Sequence, residues 1–291
     1  MGIKVGLQVF SIKESMAADP ASAIENAAKD GYRYLEAANH RALEDAGIGV
    51  GLTAEELKKI LDATGTEIIS AHISPLDREK FKEVLEYHAE IGNRNLVYPA
   101  GSFADYDDLM RQCEMLNEYG KMAKEYGIRF HYHNHAHEFM TMDGRMVIDL
   151  MMKNTNPENL LLEVDTFWAM RGGIDPLELI RKYRDRITLL HQKDMSGKSK
   201  SPVNVFSRLD REVSAGHPCD FSCWKGMTDE TDFVEIGTGI MDIQSIINLA
   251  NEINTVEYMI LEQDATQMES EAASVRKSME EFRKFEGIDW N

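Results

Sequence analysis

The sequence predicts an α/β fold, a (β/α)8 TIM barrel, as one domain over residues 1–291. Three observations predict it. Strand-like and helix-like runs alternate eight times from end to end. Repeated βα units demand a parallel sheet with right-handed crossovers, and eight of them close on themselves. No glycine-rich fingerprint follows the first strand, which weakens the rival doubly wound open sheet.

The elements run in order. IKVGLQVF (3–10) reads as a strand, and Asp19-Pro20 opens a helix that ends near Asp30. YRYLEAA (32–38) is a strand, and TAEE from Thr53 is a capping box that starts the next helix. TEIISAHI (66–73) precedes a helix over 77–91, and RNLVYPA (94–100) precedes a long helix over 105–126. IRFHYHNH (128–135) is the fifth strand, with a helix over 143–153; NLLLEVD (159–165) is the sixth, with a helix from Asp175-Pro176. RITLLHQ (186–192) is the seventh strand. It leads into an irregular stretch, a long loop at about 195–240, before a helix over 241–253. VEYMILEQD (256–264) and a helix over 267–285 complete the series.

Composition narrows the function classes. The formal net charge is −18, so the surface repels phosphate backbones and nucleic acid is not expected as a partner. Three cysteines make no disulfide framework, and no apolar run is long enough to span a membrane. The N-terminal stretch reads as a strand rather than a signal peptide, so a cytoplasmic protein is expected.

FHYHNHAHEF (130–139) holds four of the nine histidines at alternate positions. While a strand lasts, His131, His133, His135 and His137 would share one face, roughly 6–7 Å apart. Ile128, Phe130 and Tyr132 then face the helices, and the histidines face the barrel interior. Leu160, Leu162 and Val164 likewise face outward, and Glu163 and Asp165 inward. A barrel places its active site at the C-terminal ends of the strands. Those ends carry Glu36, His72, Tyr98, His133, His135, Asp165, His191 and Glu262. His133, Asp165, His191 and Glu262 end four consecutive strands and can converge on one divalent ion. Two imidazoles and two carboxylates suit Mn, Co, Fe or Zn. A lone histidine at a strand end is more often a hydrogen-bonding group; it is the set that points to a metal.

Other segments say less. His217, Cys219 and Cys223 in HPCDFSC lack zinc-ribbon spacing and read as loop. Gly237-Thr238-Gly239, with Asp242 near the following helix start, reads as a turn and cap, with a phosphate site as the lesser alternative.

YHNHAHEF (132–139), LLLEVDTFWAMRGGIDP (160–176), LLHQKD (189–194), DFVEIGTGIMDI (232–243) and MILEQD (259–264) together resemble the sugar phosphate isomerase/epimerase family, the xylose isomerase-like TIM barrels. With GLQVFS, the resemblance runs over essentially the whole chain. It implies one divalent metal, manganese favoured, on His133, Asp165, His191 and Glu262. Two departures stand out. His133 occupies the place where the family's epimerases usually carry a glutamate. Asp165-Thr166-Phe167-Trp168 lacks the histidine of the frequent Asp-Thr-x-His pattern. The HNH form looks more like inosose dehydratase-like and keto-sugar-processing members.

The expectation is a metal-dependent isomerase or epimerase acting on a sugar or polyol through an enediolate. Glu262 is the candidate base, His135 or Glu138 returns the proton, and Lys193 holds the enediolate oxygen. Glu36, His72, Tyr98 and Trp168 are the candidate substrate contacts. A dehydratase or lyase acting on a keto-sugar, keto-glycoside or inosose is the close alternative. An endonuclease of the apurinic type is a distant one, and a non-catalytic sugar-binding protein a third. A homo-oligomer is expected by analogy with such barrels.

Overall fold

The computed structural model describes residues 2–99, 101–207 and 209–291. Eight parallel strands close into a barrel: β1 (Lys4–Gln8), β2 (Tyr34–Asn39), β3 (Glu67–Ile73), β4 (Asn95–Tyr98), β5 (Arg129–His133), β6 (Leu161–Asp165), β7 (Ile187–Gln192) and β8 (Tyr258–Leu261). Each pairs with its sequence neighbours, and β8 pairs back onto β1 with Lys4 opposite Tyr258. Eight helices follow the strands: α1 (Pro20–Asp30), α2 (Ala54–Thr64), α3 (Arg78–Glu90), α4 (Tyr106–Glu125), α5 (Val147–Asn154), α6 (Pro176–Lys182), α7 (Ile243–Ile253) and α8 (Glu271–Phe282). Among the described residues no helix is long and apolar enough to cross a membrane.

Local chemistry starts these helices where the sequence signals it. The Asp19 carboxylate accepts from the Ser22 amide ahead of Pro20. Thr53 and Glu56 exchange the two bonds of a capping box. Asp175 caps α6 ahead of Pro176 in the same way.

The outward faces of the strands, with Leu7, Leu35, Leu96, Phe130, Leu162 and Val164, bury the main core against the helices. Inside the barrel, Tyr34, Ile69, Val97, Leu189 and Ile260 form a small separate apolar layer. Above that plug, toward the strand ends, the interior turns polar.

Gly120 shows how tightly the outer layer is set. A Cβ there would collide with the backbone carbonyl of Asn159, just ahead of β6. Alanine would ordinarily gain about 1 kcal/mol over glycine inside a helix. Overpacking against fixed backbone reverses that sign. Gly120→Ala is expected to lose about 2 kcal/mol net, read as a lower urea midpoint at unchanged m-value; equal or greater stability would show that α4 can slide away.

Among the boundaries that differ from the sequence expectation, three bear on the site and its surroundings. The first strand stops at Gln8 and becomes a 3-10 turn over Val9–Ile12, because Gln8 caps it through the Phe10 amide. The helix expected over 143–153 begins only at Val147. Ahead of it, Thr141–Met142 and Arg145–Met146 form a small antiparallel ribbon around Asp143-Gly144, both with positive φ. Asp-Gly is suited to that mirror-image turn. The fifth strand ends at His133, not His135. Asn134 turns sideways: its amide accepts from the Asp165 amide (3.1 Å) and donates to the Asp165 carbonyl (3.3 Å), which fastens β5 to β6 and carries the chain out of the strand.

Candidate functional site

The strand ends assemble two tiers of polar side chains, almost all fully buried. The upper tier contains His133, Asp165, His191 and Glu262, whose ligand atoms all lie within 4.8 Å of one another. The lower tier contains Glu36, His72 and Glu163. The four sequence-nominated ligands are therefore together, one from each of β5, β6 and β7 and one immediately after β8.

The lower tier orients the upper one. His133 Nδ1 lies 2.9 Å from Glu163 Oε2, which leaves Nε2 facing Asp165 Oδ2 at 3.9 Å. His191 Nε2 is hydrogen-bonded to Glu36, which leaves Nδ1 3.1 Å from Glu262 Oε2. A carboxylate behind each imidazole fixes its tautomer and makes the outward nitrogen a better donor to a cation. Asp165 is held from the other side: it caps the short helix Thr166–Arg171 by accepting from the Trp168 amide (2.7 Å) on Oδ1. Its Oδ2 is buried with no hydrogen-bond partner. An orphaned carboxylate oxygen beside two imidazole nitrogens and a second carboxylate is the donor set of a divalent transition metal. A second set, His72, His133, Glu163 and His191, also clusters. Glu163 Oε2 is already engaged there by His72 Nε2 at 2.7 Å and by His133, so the upper set fits a metal better.

The charges are strongly coupled. Burial would raise Glu36, but the adjacent His72 and His191 outweigh it and hold it down at about 2. Burial and the nearby Glu36 charge push Glu163 well above the carboxylate range. Burial raises Asp165 to about 7 against the pull of Lys193 and His191. Burial would lower Lys193, but Asp264, Glu262 and Asp165 outweigh it and keep the ammonium charged. That ammonium is bonded to Glu262 and lies 3.2 Å from Asp264 Oδ1 and 3.6 Å from Asp165 Oδ2.

A cavity of about 450 Å³ opens over the upper tier. Of the nominated residues, His72, Tyr98, His133, His135, Lys193 and Glu262 line it. Asp165 and His191, members of the upper tier, do not line it, and neither do three others. Glu36 is buried beneath His191 and serves it rather than a substrate. Glu138 is buried with one oxygen on Tyr132 Oη (2.5 Å) and the other on the His135 amide (2.8 Å), which fixes the turn after β5 instead of reaching the cavity. Trp168 is buried against Trp224, with ring centroids 4.4 Å apart. The strand ends before His135 and His137, yet their rings stay beside their neighbours, with centroids 4.8 Å (His133–His135) and 5.9 Å (His135–His137) apart. His135 lines the cavity, whereas His137 takes the Trp224 indole N–H at 3.1 Å and bonds the Gly101 carbonyl at 3.0 Å.

Sequence reasoning passed over Asp264, Phe10, His40 and Phe221, all in the cavity wall. Asp264 had a signal, since it lies two residues beyond Glu262 beside Lys193. Phe221 comes from the long loop, and no spacing rule places it. In the loop, Cys219 is buried and gives its thiol to the His137 carbonyl. The glycine turn at 237–239 is filled from within, since the Asp194 carboxylate accepts from the amides of Gly237 (3.0 Å), Gly239 (2.9 Å) and Met241 (3.1 Å). An internal carboxylate holds the place a phosphate would take. Asp242 caps α7 through the Ser245 amide.

The family model described as xylose isomerase-like TIM barrel matches residues 24–285. An inosose dehydratase of Halalkalibacterium halodurans is 31% identical over 109 residues, which are 38% of this chain and 35% of that protein. The chain thus aligns with about a third of that relative's length. A crystal structure of a sugar phosphate isomerase/epimerase from Parabacteroides distasonis superposes with a TM-score of 0.74 at 25% identity, over 96% of this chain and 93% of that one. The IOLI protein, solved with a zinc atom, superposes with a TM-score of 0.67 at 13% identity over 97% of each chain, a likeness of fold alone.

Proposed function

Since the chain belongs to the xylose isomerase-like TIM barrel family, we propose that it is a divalent-metal-dependent lyase that eliminates an oxygen substituent β to the ketone of a cyclic keto-polyol. The observation that carries this reading is an asymmetry across the cavity. An imidazole, His135, and an unlike group, the ammonium–carboxylate pair of Lys193 with Asp264, both line it. Epimerisation wants similar acid–base groups on both faces of a carbon; elimination wants one group to accept a proton and a different one to give it. His133 removes a carboxylate from the end of β5 and so creates the asymmetry. The partial likeness to inosose dehydratases supports the same class.

His133, Asp165, His191 and Glu262 would hold the metal, which when bound polarises the ketone and steadies the negative charge left by loss of the neighbouring proton. Manganese, cobalt, iron and zinc all suit the donor set, manganese being our first choice. His135, whose Nδ1 has no protein partner, takes the proton beside the ketone. Lys193 gives a proton to the departing oxygen and is held in place for it by Asp264. Tyr98 and His72 contact the ring hydroxyls, and Phe221 covers the mouth. Burial keeps water from competing at each step.

The test is incubation of the manganese-loaded protein with a keto-inositol in D2O, followed by NMR and ultraviolet absorbance. The expected result is an enone or dione product, formed about 10²–10⁴-fold more slowly by His135→Ala. Deuterium entering beside the ketone with no loss of oxygen would sink the lyase reading and favour isomerisation or epimerisation, the activity named for the Parabacteroides structure.

A further inference from the structure

A second cavity of about 480 Å³ adjoins the first, and the two share a wall made of Phe10 and His40. The pair meets edge to face with ring centroids 6.0 Å apart. His40 is exposed, so its ring can turn aside without unpacking the barrel. Beyond the wall the lining is largely apolar, with Val9, Met16, Pro20 and Ile48 among its side chains, and Lys13 and Arg41 stand at it as the charged members. The loop that forms its far side is a built structure. Asp45 accepts from the amides of Gly47 (2.7 Å) and Gly51 (2.8 Å), and Asn39 donates to the carbonyls of Asp45 and Gly47, both at 2.7 Å. None of these residues takes part in the chemistry proposed above.

We infer that this chamber binds an apolar group, of the size of a phenyl ring, carried on the oxygen that departs from the substrate. The inference rests on the lyase reading for its chemistry and on the shared wall for its placement. A ring of hydroxyls needs the polar mouth, whereas a chamber lined mainly by apolar side chains gains more from hydrocarbon than from a hydroxyl. A substrate filling both is a keto-polyol joined through oxygen to a phenol or an apolar alcohol. In its elimination the C–H beside the ketone breaks and its proton goes to His135. The C–H electron pair becomes the new C=C bond, the C–O bond to the apolar group breaks, and the departing oxygen takes a proton from Lys193. No oxidant or water is consumed.

The test separates the chamber from the reaction. Binding of paired 4-nitrophenyl and methyl glycosides with gluco and galacto rings, none of which carries a ketone, is measured by titration calorimetry on the purified 291-residue chain. The aryl member of at least one pair is expected to bind about tenfold or more tightly than its methyl partner. Ala17→Trp, on an exposed position of the short helix Lys13–Ala18, and Val50→Trp, on the opposite wall, are each expected to erase that preference while leaving methyl glycoside affinity unchanged. No aryl preference in any pair, or a preference that survives both fillings, would overturn the inference. Aryl preference lost on filling, without any elimination from keto-polyols, would uphold the chamber and sink the lyase reading; elimination from a keto-inositol without aryl preference would do the reverse.

Discussion

His191→Ala is expected to leave a folded protein that no longer retains metal. The wild-type chain should hold about one manganese, cobalt, iron or zinc per molecule after dialysis, and the variant less than a tenth of that. Turnover should fall about 10³-fold or more, because polarisation of the ketone is lost together with the ligand. His133→Ala should behave the same way. Glu36→Gln and Glu163→Gln supply a graded comparison. Neither residue belongs to the upper donor set, but each holds one imidazole by its far nitrogen, so affinity should drop only about 10–100-fold. Two readouts besides activity follow: metal content by elemental analysis, and the rise in melting temperature on adding Mn²⁺, which vanishes in His191→Ala because a ligand stabilises only what binds it. A wild-type chain that holds no metal and takes none up from Mn²⁺ or Co²⁺ would leave these histidines as hydrogen-bonding groups.

Asp232→Ala is expected to be the most damaging substitution outside the barrel mouth. Arg171 and Asp232 are both fully buried, with Nη1 and Oδ2 3.2 Å apart. Arg171 also gives Nη2 to the Met227 carbonyl at 2.6 Å, and Asp232 bonds Ser199 and the Asp229 amide. The pair ties the short helix after β6 to the long loop that supplies Phe221 and Trp224. Removing only the carboxylate strands a buried guanidinium, which costs about 3–5 kcal/mol. Chemical denaturation should show that loss. The double variant Arg171→Met with Asp232→Leu should recover most of it, because a buried pair adds little net stability over apolar groups of similar volume. If the single variant is no less stable than wild type, the guanidinium has found another partner or water. A rise in KM at nearly constant kcat in the double variant would place the pair's functional effect in the loop over the mouth.

Much of this was legible because local chemistry and global closure agree. Alternating strand and helix signals, with caps at Asp19, Thr53 and Asp175, located the eight units. The inward register of β5 and β6 then brought His133 and Asp165 to the same end as His191 and Glu262. What stayed hidden depends on contacts distant in sequence. Asn134 ends β5 by bonding a backbone thirty-one residues away, so His135 and His137 are carried on a turn and not on the strand that alternation predicted. Glu163 could be seen to face inward, but its contact with His72 is set by barrel closure across β4 and β5. Glu138 and Trp168 carry the residue types of a site and are spent on packing around it. Phe10 and Phe221 reach the cavity from 3-10 turns, each too short for a periodicity to be read.

The long loop leaves and re-enters the barrel through one narrow gate. Asp194–Met195 pairs antiparallel with Phe233–Val234, and the Ser196 amide is bonded to the Asp232 carbonyl at 2.8 Å. The Asp194 carboxylate fastens the return turn on the other side. The stretch between these two ends can change in length and sequence while its take-off and landing stay fixed, provided its backbone ties at Phe103–Cys219, Thr141–Val213 and Arg171–Val205 are kept. Loop closure costs only about 0.6 kcal/mol for each doubling of length. Exchanging the stretch 197–231 between barrels that share the gate would transplant the roof of the cavity and leave the floor, with its histidines and carboxylates, in place. Diversification of such a chain needs no change at the strand ends at all.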